Sequence, residues 1–327
     1  MKFMSCCLFL AVFLSACGDL QNSSRVSIAG GRTPDSSSPS IITQSVVAIA
    51  SNSEFYSKIS NPSSADCSGV ILSENLVLTA AHCTELFDRQ MNVVVFAASM
   101  KDALKDPANH VRQIVGFERH PEFPVIKVNA NGYVITSSPY VENPEKWMAG
   151  NPNVPPNDLA ILKFAGGLPH GYRPAVFTEA NAADPLFVTL AGFGLIEVMN
   201  APDTGVLRYV NEINVHPRDE QIKSRRFLAV ANTVDVRYIT RQNPARGACP
   251  GDSGGPAIVE TNNSFSVLGI LSLGESGKFD RTAQISYCLA HEPGKSSTPG
   301  NLYTDLRPYY NWISTASERF SRNPNSL

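Results

Sequence analysis

Short runs rich in Val, Ile, Leu and Ala recur along this chain, separated by clusters of Gly, Pro, Asn and Ser. Residues 45–50, 69–78, 91–97 and 111–117 alternate apolar and polar positions or are continuously β-branched, and Asp158 heads a further run at 159–164. A second series follows at 186–190, 207–215, 227–236, 256–259 and 265–273. Runs of this length and period predict strands, and strands punctuated by turn residues predict an all-β architecture. Helical periodicity of adequate length is confined mainly to about 305–319. Residues 121–157 break the pattern with Asn, Gly and Pro clusters and read as a surface insertion close to Asp158. No internal repeat or long low-complexity stretch interrupts the series.

Composition adds a compartment. The 43% hydrophobic and 17% charged residues of this 327-residue chain suit a globular protein with a substantial core. The 22 glycines and 23 prolines favour many turns. A net charge of −2 gives no argument for nucleic acid or for an anionic membrane surface. Lys2 is followed by an apolar run to Phe13 and then by Leu14-Ser15-Ala16-Cys17, which reads as an export signal. No other run reaches the ~18 apolar residues that predict a membrane span. Once Cys6, Cys7 and Cys17 are set aside with that signal, Cys67, Cys83, Cys249 and Cys288 remain, and four cysteines allow three pairings. Export and disulfides point to the same oxidising compartment.

Three segments carry chemistry. They are Thr79-Ala80-Ala81-His82-Cys83, Asn157-Asp158-Leu159-Ala160 and Gly251-Asp252-Ser253-Gly254-Gly255-Pro256, in the chain order His, Asp, Ser. A serine hydroxyl is a weak nucleophile until a neighbouring base takes its proton. An imidazole does so when a buried carboxylate holds it in the right tautomer. Glycines beside the serine let the backbone turn tightly and aim N–H groups at a developing oxyanion. A Gly-x-Ser-x-Gly pattern also occurs in α/β-hydrolases, but there the serine comes first and the histidine last. Further landmarks fall in sequence: Gly192-Phe193-Gly194 after an apolar run, Ser272-Leu273-Gly274, Pro299-Gly300 through Tyr303-Thr304, and Tyr309 to Trp312. Together these segments, over about residues 28–316, resemble the trypsin/chymotrypsin-type serine protease family.

The resemblance implies two packed antiparallel β-barrels with the active site in their cleft and a closing C-terminal helix. It divides the chain into a signal with a lipobox at 1–17, a tether or pro-segment at 18–27, and a protease domain at 28–316. Within that domain the first barrel is expected at about 28–165, the second at about 183–304 and the helix at about 305–316, with a tail at 317–327. The crossing between barrels is expected near 166–183. His82 is the implied general base, Asp158 its orienting carboxylate and Ser253 the nucleophile. Gly251 and Ser253 would supply the oxyanion hole, and Gly247, Ser272, Gly274 and Gly300 would contact substrate. The implied disulfides are Cys67–Cys83 and Cys249–Cys288. Ile28-Ala29-Gly30-Gly31 resembles the new N-terminus of the activated family, whose amino group would pair with Asp252. Two departures stand out: Ala29 replaces the usual valine, and Arg25-Val26-Ser27 places no basic residue at the junction.

Leu14-Ser15-Ala16-Cys17 resembles the lipobox of bacterial lipoproteins, which implies lipidation at Cys17 and an exported, cell-envelope protein released on activation. An ordinary cleavage site with an incidental cysteine is the alternative. Protein or peptide substrates and an activating protease are the implied partners, with membrane contact through the lipid alone. No metal or cofactor is implied. Gly247, followed by Ala248, removes the usual counter-ion for a basic substrate side chain and favours a small or apolar one, whereas Glu275 or Asp280 in a long following loop would restore basic specificity. The leading expectation is a serine endopeptidase. The alternatives are a catalytically silent homologue serving as a binding module, and an esterase.

Overall fold

The computed structural model describes residues 28, 31–35, 37–51, 65–84, 92–123, 126–128, 134–136, 157–179, 182–183, 185, 187–194, 205–214, 227–231, 248–249, 251–261, 264–274, 279–280, 285–286 and 300–322. The strands of its first half are β1 (Val46–Ser51), β2 (Cys67–Ser73), β3 (Leu76–Thr79), β4 (Asn92–Val95), β5 (Val111–Arg119), a separate pair β6 (Ile126–Val128) and β7 (Val134–Thr136), and β8 (Ala160–Phe164). Apart from that pair they close into an antiparallel barrel in the order β1-β2-β3-β8-β5-β4. β1, β3, β4 and β8 are buried at every residue, which is why their sequences read as continuous apolar runs rather than alternating ones. The apparent single run at 69–78 is two strands. Glu74 and Asn75 form a turn between Ser73 and its partner Leu76, a two-residue hairpin linking β2 to β3. The pair β6–β7 places a hairpin within the 121–157 insertion, with residues 129–133 between its strands.

The second half contains β9 (Phe187–Gly192), β10 (Arg208–Asn214), β11 (Phe227–Ala231), β12 (Pro256–Thr261), β13 (Ser264–Gly274), a minor pair β14 (Phe279–Asp280) and β15 (Ile285–Ser286), and β16 (Gly300–Asp305). Six of these form an antiparallel sheet in the order β10-β9-β12-β13-β16-β11. The crossing between the halves falls at Ala175–Val176. Ala175 donates its N–H to Ile71 in the first barrel, whereas Val176 accepts from Val267 and Thr178 donates to Val267 in the second sheet. The fold is therefore all-β, as the strand series implied, and consistent with the two-barrel arrangement that the family resemblance implied.

Helices are more numerous than the periodicity predicts. Short ones at Ser40–Ser45, Met100–Ala103 and Pro107–His110 are too brief for a 3.6-residue period to show. The C-terminal helix is Tyr310–Arg322, preceded by a 3-10 turn at Arg307–Tyr309. It begins later than 305 because residues 300–305 belong to β16. It also runs past 316, so most of the expected tail is helical. Ile313, Ala316 and Phe320 form one buried stripe along it. That stripe lies on the first barrel, where Lys163 of β8 donates its ammonium to the Phe320 carbonyl at 3.4 Å. Among the described residues no helix is long and apolar enough to cross a membrane.

Candidate active site

His82 sits on a 3-10 turn, Ala81–Thr84, that β3 delivers to the barrel rim. A disulfide from Cys83 to Cys67 anchors that turn to the start of β2. Asp158 lies two residues before β8 and is fully buried. Because β3 and β8 are paired with Thr79 opposite Ala160, the turn leaving one and the residues entering the other meet at the same end of the barrel. There the His82 backbone N–H donates to Asp158 Oδ1 at 2.9 Å, and His82 Nδ1 lies 2.7 Å from Oδ2. A carboxylate accepting at both points fixes the ring and places the proton on Nδ1, leaving Nε2 able to accept another. The His82 side chain is 30% exposed and Asp158 is not exposed at all, so the imidazole reaches solvent while its carboxylate partner is dry.

The Asp158 carboxylate has a third donor. Ser272 Oγ donates to Oδ2 at 2.6 Å, across the interface from β13 of the second sheet. The register of β13 on β16 shifts between Leu271 and Leu273, so Ser272 is the extra residue of a bulge. A bulge re-aims a side chain, and here it turns the serine toward the first barrel. The substrate pairing expected at Ser272 concerns its main chain, and the side-chain bond to Asp158 leaves that expectation unchanged. Asn157 supplies the matching local geometry. Its φ of +57° is a left-handed conformation that asparagine tolerates, and Tyr309, from the turn before the C-terminal helix, donates to its Oδ1 at 2.7 Å.

Ser253 belongs to a loop tied down by backbone and side-chain bonds together. Its carbonyl accepts the Ser68 N–H at 2.7 Å, and Gly254 donates to Leu271 at 2.8 Å. Gly251 and Gly254 adopt φ of +94° and +80°, which glycine enters without penalty. Gly254 has no room for anything larger: a Cβ there would lie 2.0 Å from Thr79 Oγ1 and 2.3 Å from the Ser68 carbonyl. That contact brings the serine loop onto β2 and β3, beside the turn that carries His82.

Asp252 is buried. Its Oδ1 accepts from Gly194 N–H at 2.7 Å and its Oδ2 from Cys249 N–H at 2.8 Å. Burial pushes its carboxyl up to about 7, with those two N–H donors opposing the shift. The glycines of Gly192-Phe193-Gly194 now have a steric cause, since a Cβ at either position would come within 2.6 Å of the Asp252 side chain. Burial raises the Tyr303 phenol, and the nearby Asp252 charge adds to it. Ile28 is 1% exposed and packs with Val188, Leu190, Leu268 and Tyr303 in the core of the second sheet.

Other expected residues are placed less fully. Gly274 and Gly300 lie on β13 and β16, where Gly274 pairs with Asn301 and Gly300 with Ala231. Cys249 is disulfide-bonded. Its expected partner Cys288, together with Gly247, Ala29, Gly30 and everything before Ile28 including Cys17, lies outside the described residues. Glu275 lies outside them as well, while Asp280 is on β14. Donor atoms of Cys67, His82 and Cys83 cluster closely. The two sulfurs are spent on the disulfide, so the cluster is not a metal site. Sequence reasoning missed Ser68, Tyr309 and the left-handed Asn157. Only the last left a signal, an asparagine directly before the acid.

A family model described as Trypsin matches residues 41–287. Melanization protease 1 of Drosophila melanogaster is 25% identical over 280 residues, covering 79% of this chain and 60% of that protein. Serine protease snk, also of Drosophila melanogaster, is 25% identical over 255 residues, covering 76% of this chain and 48% of its own length. CLIP domain-containing serine protease B15 of Anopheles gambiae is 26% identical over 282 residues, covering 80% of this chain and 64% of that protein. The chain thus spans less than two thirds of each of these relatives.

Proposed function

This chain belongs to the trypsin family, and from that premise we propose that it is a serine endopeptidase working through an acyl-enzyme on Ser253. The observation that carries the reading is the His82–Asp158 pair: one buried carboxylate receives both the backbone N–H and the ring Nδ1 of one partly exposed histidine. That arrangement suits a base and little else. His82 Nε2 takes the Ser253 hydroxyl proton as Oγ attacks the substrate carbonyl, and the C–O bond forms as the carbonyl electrons move onto oxygen. The Gly251 and Ser253 N–H groups receive that oxyanion. The imidazolium, stabilised by Asp158, then gives its proton to the leaving amine as the C–N bond breaks. Water repeats the sequence on the acyl-enzyme and releases the acid.

Activation belongs to the same reading. Ile28 lies inside the second core, and the Asp252 carboxyl is buried there with two backbone N–H donors and no cation among its described partners. A cut before Ile28 would release an α-amino group into that core, and its positive charge would offset the burial of Asp252. The tether at Cys17, and release from it by the same cut, rest on the lipobox-like sequence alone; the relatives named above are insect proteins and lend it no support. Gly247 favours a small or apolar side chain before the scissile bond.

A serine-directed phosphonate, followed by mass mapping, tests the mechanism. Labelling is expected on Ser253 in the wild type and is expected to vanish in His82→Ala. A chain that hydrolyses no peptide and leaves Ser253 unlabelled is a binding module, and one that still cleaves peptides as Ser253→Ala uses a different nucleophile.

A further inference from the structure

Ser68 is wholly buried on β2, next to the Cys67 disulfide and opposite Ala48 of β1. Four of its hydrogen bonds face the second half of the molecule or steady the residue itself. Its N–H donates to the Ser253 carbonyl at 2.7 Å, and its own carbonyl accepts Thr79 Oγ1 at 2.8 Å. Its hydroxyl donates to the Gly251 carbonyl at 3.0 Å and accepts the Phe193 N–H at 3.0 Å. A hydroxyl has one donor and two acceptor sites, so this one joins two separate segments without leaving its proton unused. Those segments are the loop that ends in Ser253 and the strand end whose Gly194 N–H holds Asp252.

We propose that Ser68 is a positioning residue for the oxyanion hole, its hydroxyl holding the Gly251 carbonyl so that the Gly251 N–H faces the reacting carbonyl. The proposal rests on the assignment of Ser253 and Gly251 made above. Gly251 has no side chain, and at φ +94° its peptides are not settled by local sterics. A bond on its carbonyl and another on the Ser253 carbonyl bracket the two donors from one rigid strand. Preorganised donors lower a barrier because they need no reorganisation as charge develops. A swivelling Gly251 would lose that advantage while leaving ground-state substrate contacts in place.

The test is a peptide aldehyde, whose adduct with serine carries the tetrahedral oxygen, measured against KM for the matching peptide substrate. Ser68→Ala is expected to weaken the aldehyde and lower kcat by about tenfold or more, part of the hundredfold or greater loss that follows removal of a donor, while KM changes little. Ki and KM do not depend on the fraction of enzyme that is active, so a partly folded preparation still reports. Ser68→Thr keeps the hydroxyl and should restore aldehyde binding; it also serves if the alanine variant does not fold. Equal aldehyde affinity in wild type and Ser68→Ala, or a weak aldehyde with Ser68→Thr at unchanged KM, overturns the positioning role. A wild type that forms no aldehyde adduct overturns the underlying mechanism instead.

Discussion

Replacing Gly254 by alanine should separate two costs that usually travel together. Gly254 and Gly171 share a left-handed backbone, with φ of +80° and +89°. They differ in surroundings: a Cβ on Gly171 meets nothing within 4 Å, whereas one on Gly254 meets Thr79 Oγ1 at 2.0 Å, the Ser68 carbonyl at 2.3 Å and the Ala80 nitrogen at 3.1 Å. Gly171→Ala therefore pays only the left-handed penalty, about 1–2 kcal/mol. Gly254→Ala pays it as well, and overpacking adds ~1–3 kcal/mol. Neither obstacle yields easily, since Ser68 is backbone in a barrel strand and the Thr79 hydroxyl is already bonded to it at 2.8 Å. Reaching ordinary contact requires the serine loop to retreat by about 1 Å, and a displacement of that size near the reacting atoms costs roughly a hundredfold in rate. Urea denaturation and kcat/KM on both variants provide the assay. Gly171→Ala should lose stability alone, and Gly254→Ala should lose more stability together with activity. Wild-type kcat/KM in Gly254→Ala would refute the claim that this glycine seats the serine loop on the first barrel.

Two further outcomes follow from the buried carboxylates. Ser272→Ala removes one of three hydrogen bonds on Asp158 and is expected to cost about 1.5–3 kcal/mol; a denaturation curve superimposable on the wild type counts against that bond. Asp252, raised to about 7 from 3.8 in the chain before any cut at Ile28, keeps a proton in the folded state that the unfolded state has released. Its contribution to stability is complete below the unfolded value, declines as pH rises between the two values, and is gone above the upper one. The stability difference between wild type and Asp252→Asn, measured by denaturant from pH 3 to 8, should fall through that window, and a flat difference would show that burial does not raise this carboxyl.

The strand series, the all-β class and the three candidate segments were legible in the sequence because each depends on residues close together in the chain. Alternation and β-branching report strand faces, and Gly251 and Gly254 report turns that other residues resist. The C-terminal helix was legible from its apolar period, though not its limits. Residues 300–305 are taken by pairing with β13, and Phe320 continues the stripe because a barrel lies beneath it. The hairpin at Glu74 and Asn75 was hidden because β3 and all but the last two residues of β2 are buried, so the two strands read as one run.

What only the tertiary structure decided is where side chains from distant segments converge. Ser272 faces Asp158 across 114 positions of sequence, through a bulge that no local pattern announces. Tyr309 reaches Asn157 from a turn 152 positions later, and Ser68 meets Gly251 across 183. Gly192 and Gly194 look like a strand end in sequence, whereas their lack of side chains answers to the Asp252 carboxylate packed against them. The amino-acid sequence by itself determined the chemistry of the groups and the periodicity of the strands. The packing of one barrel on the other chose their partners, because hydrogen-bond direction and steric exclusion act between surfaces that the chain order leaves far apart.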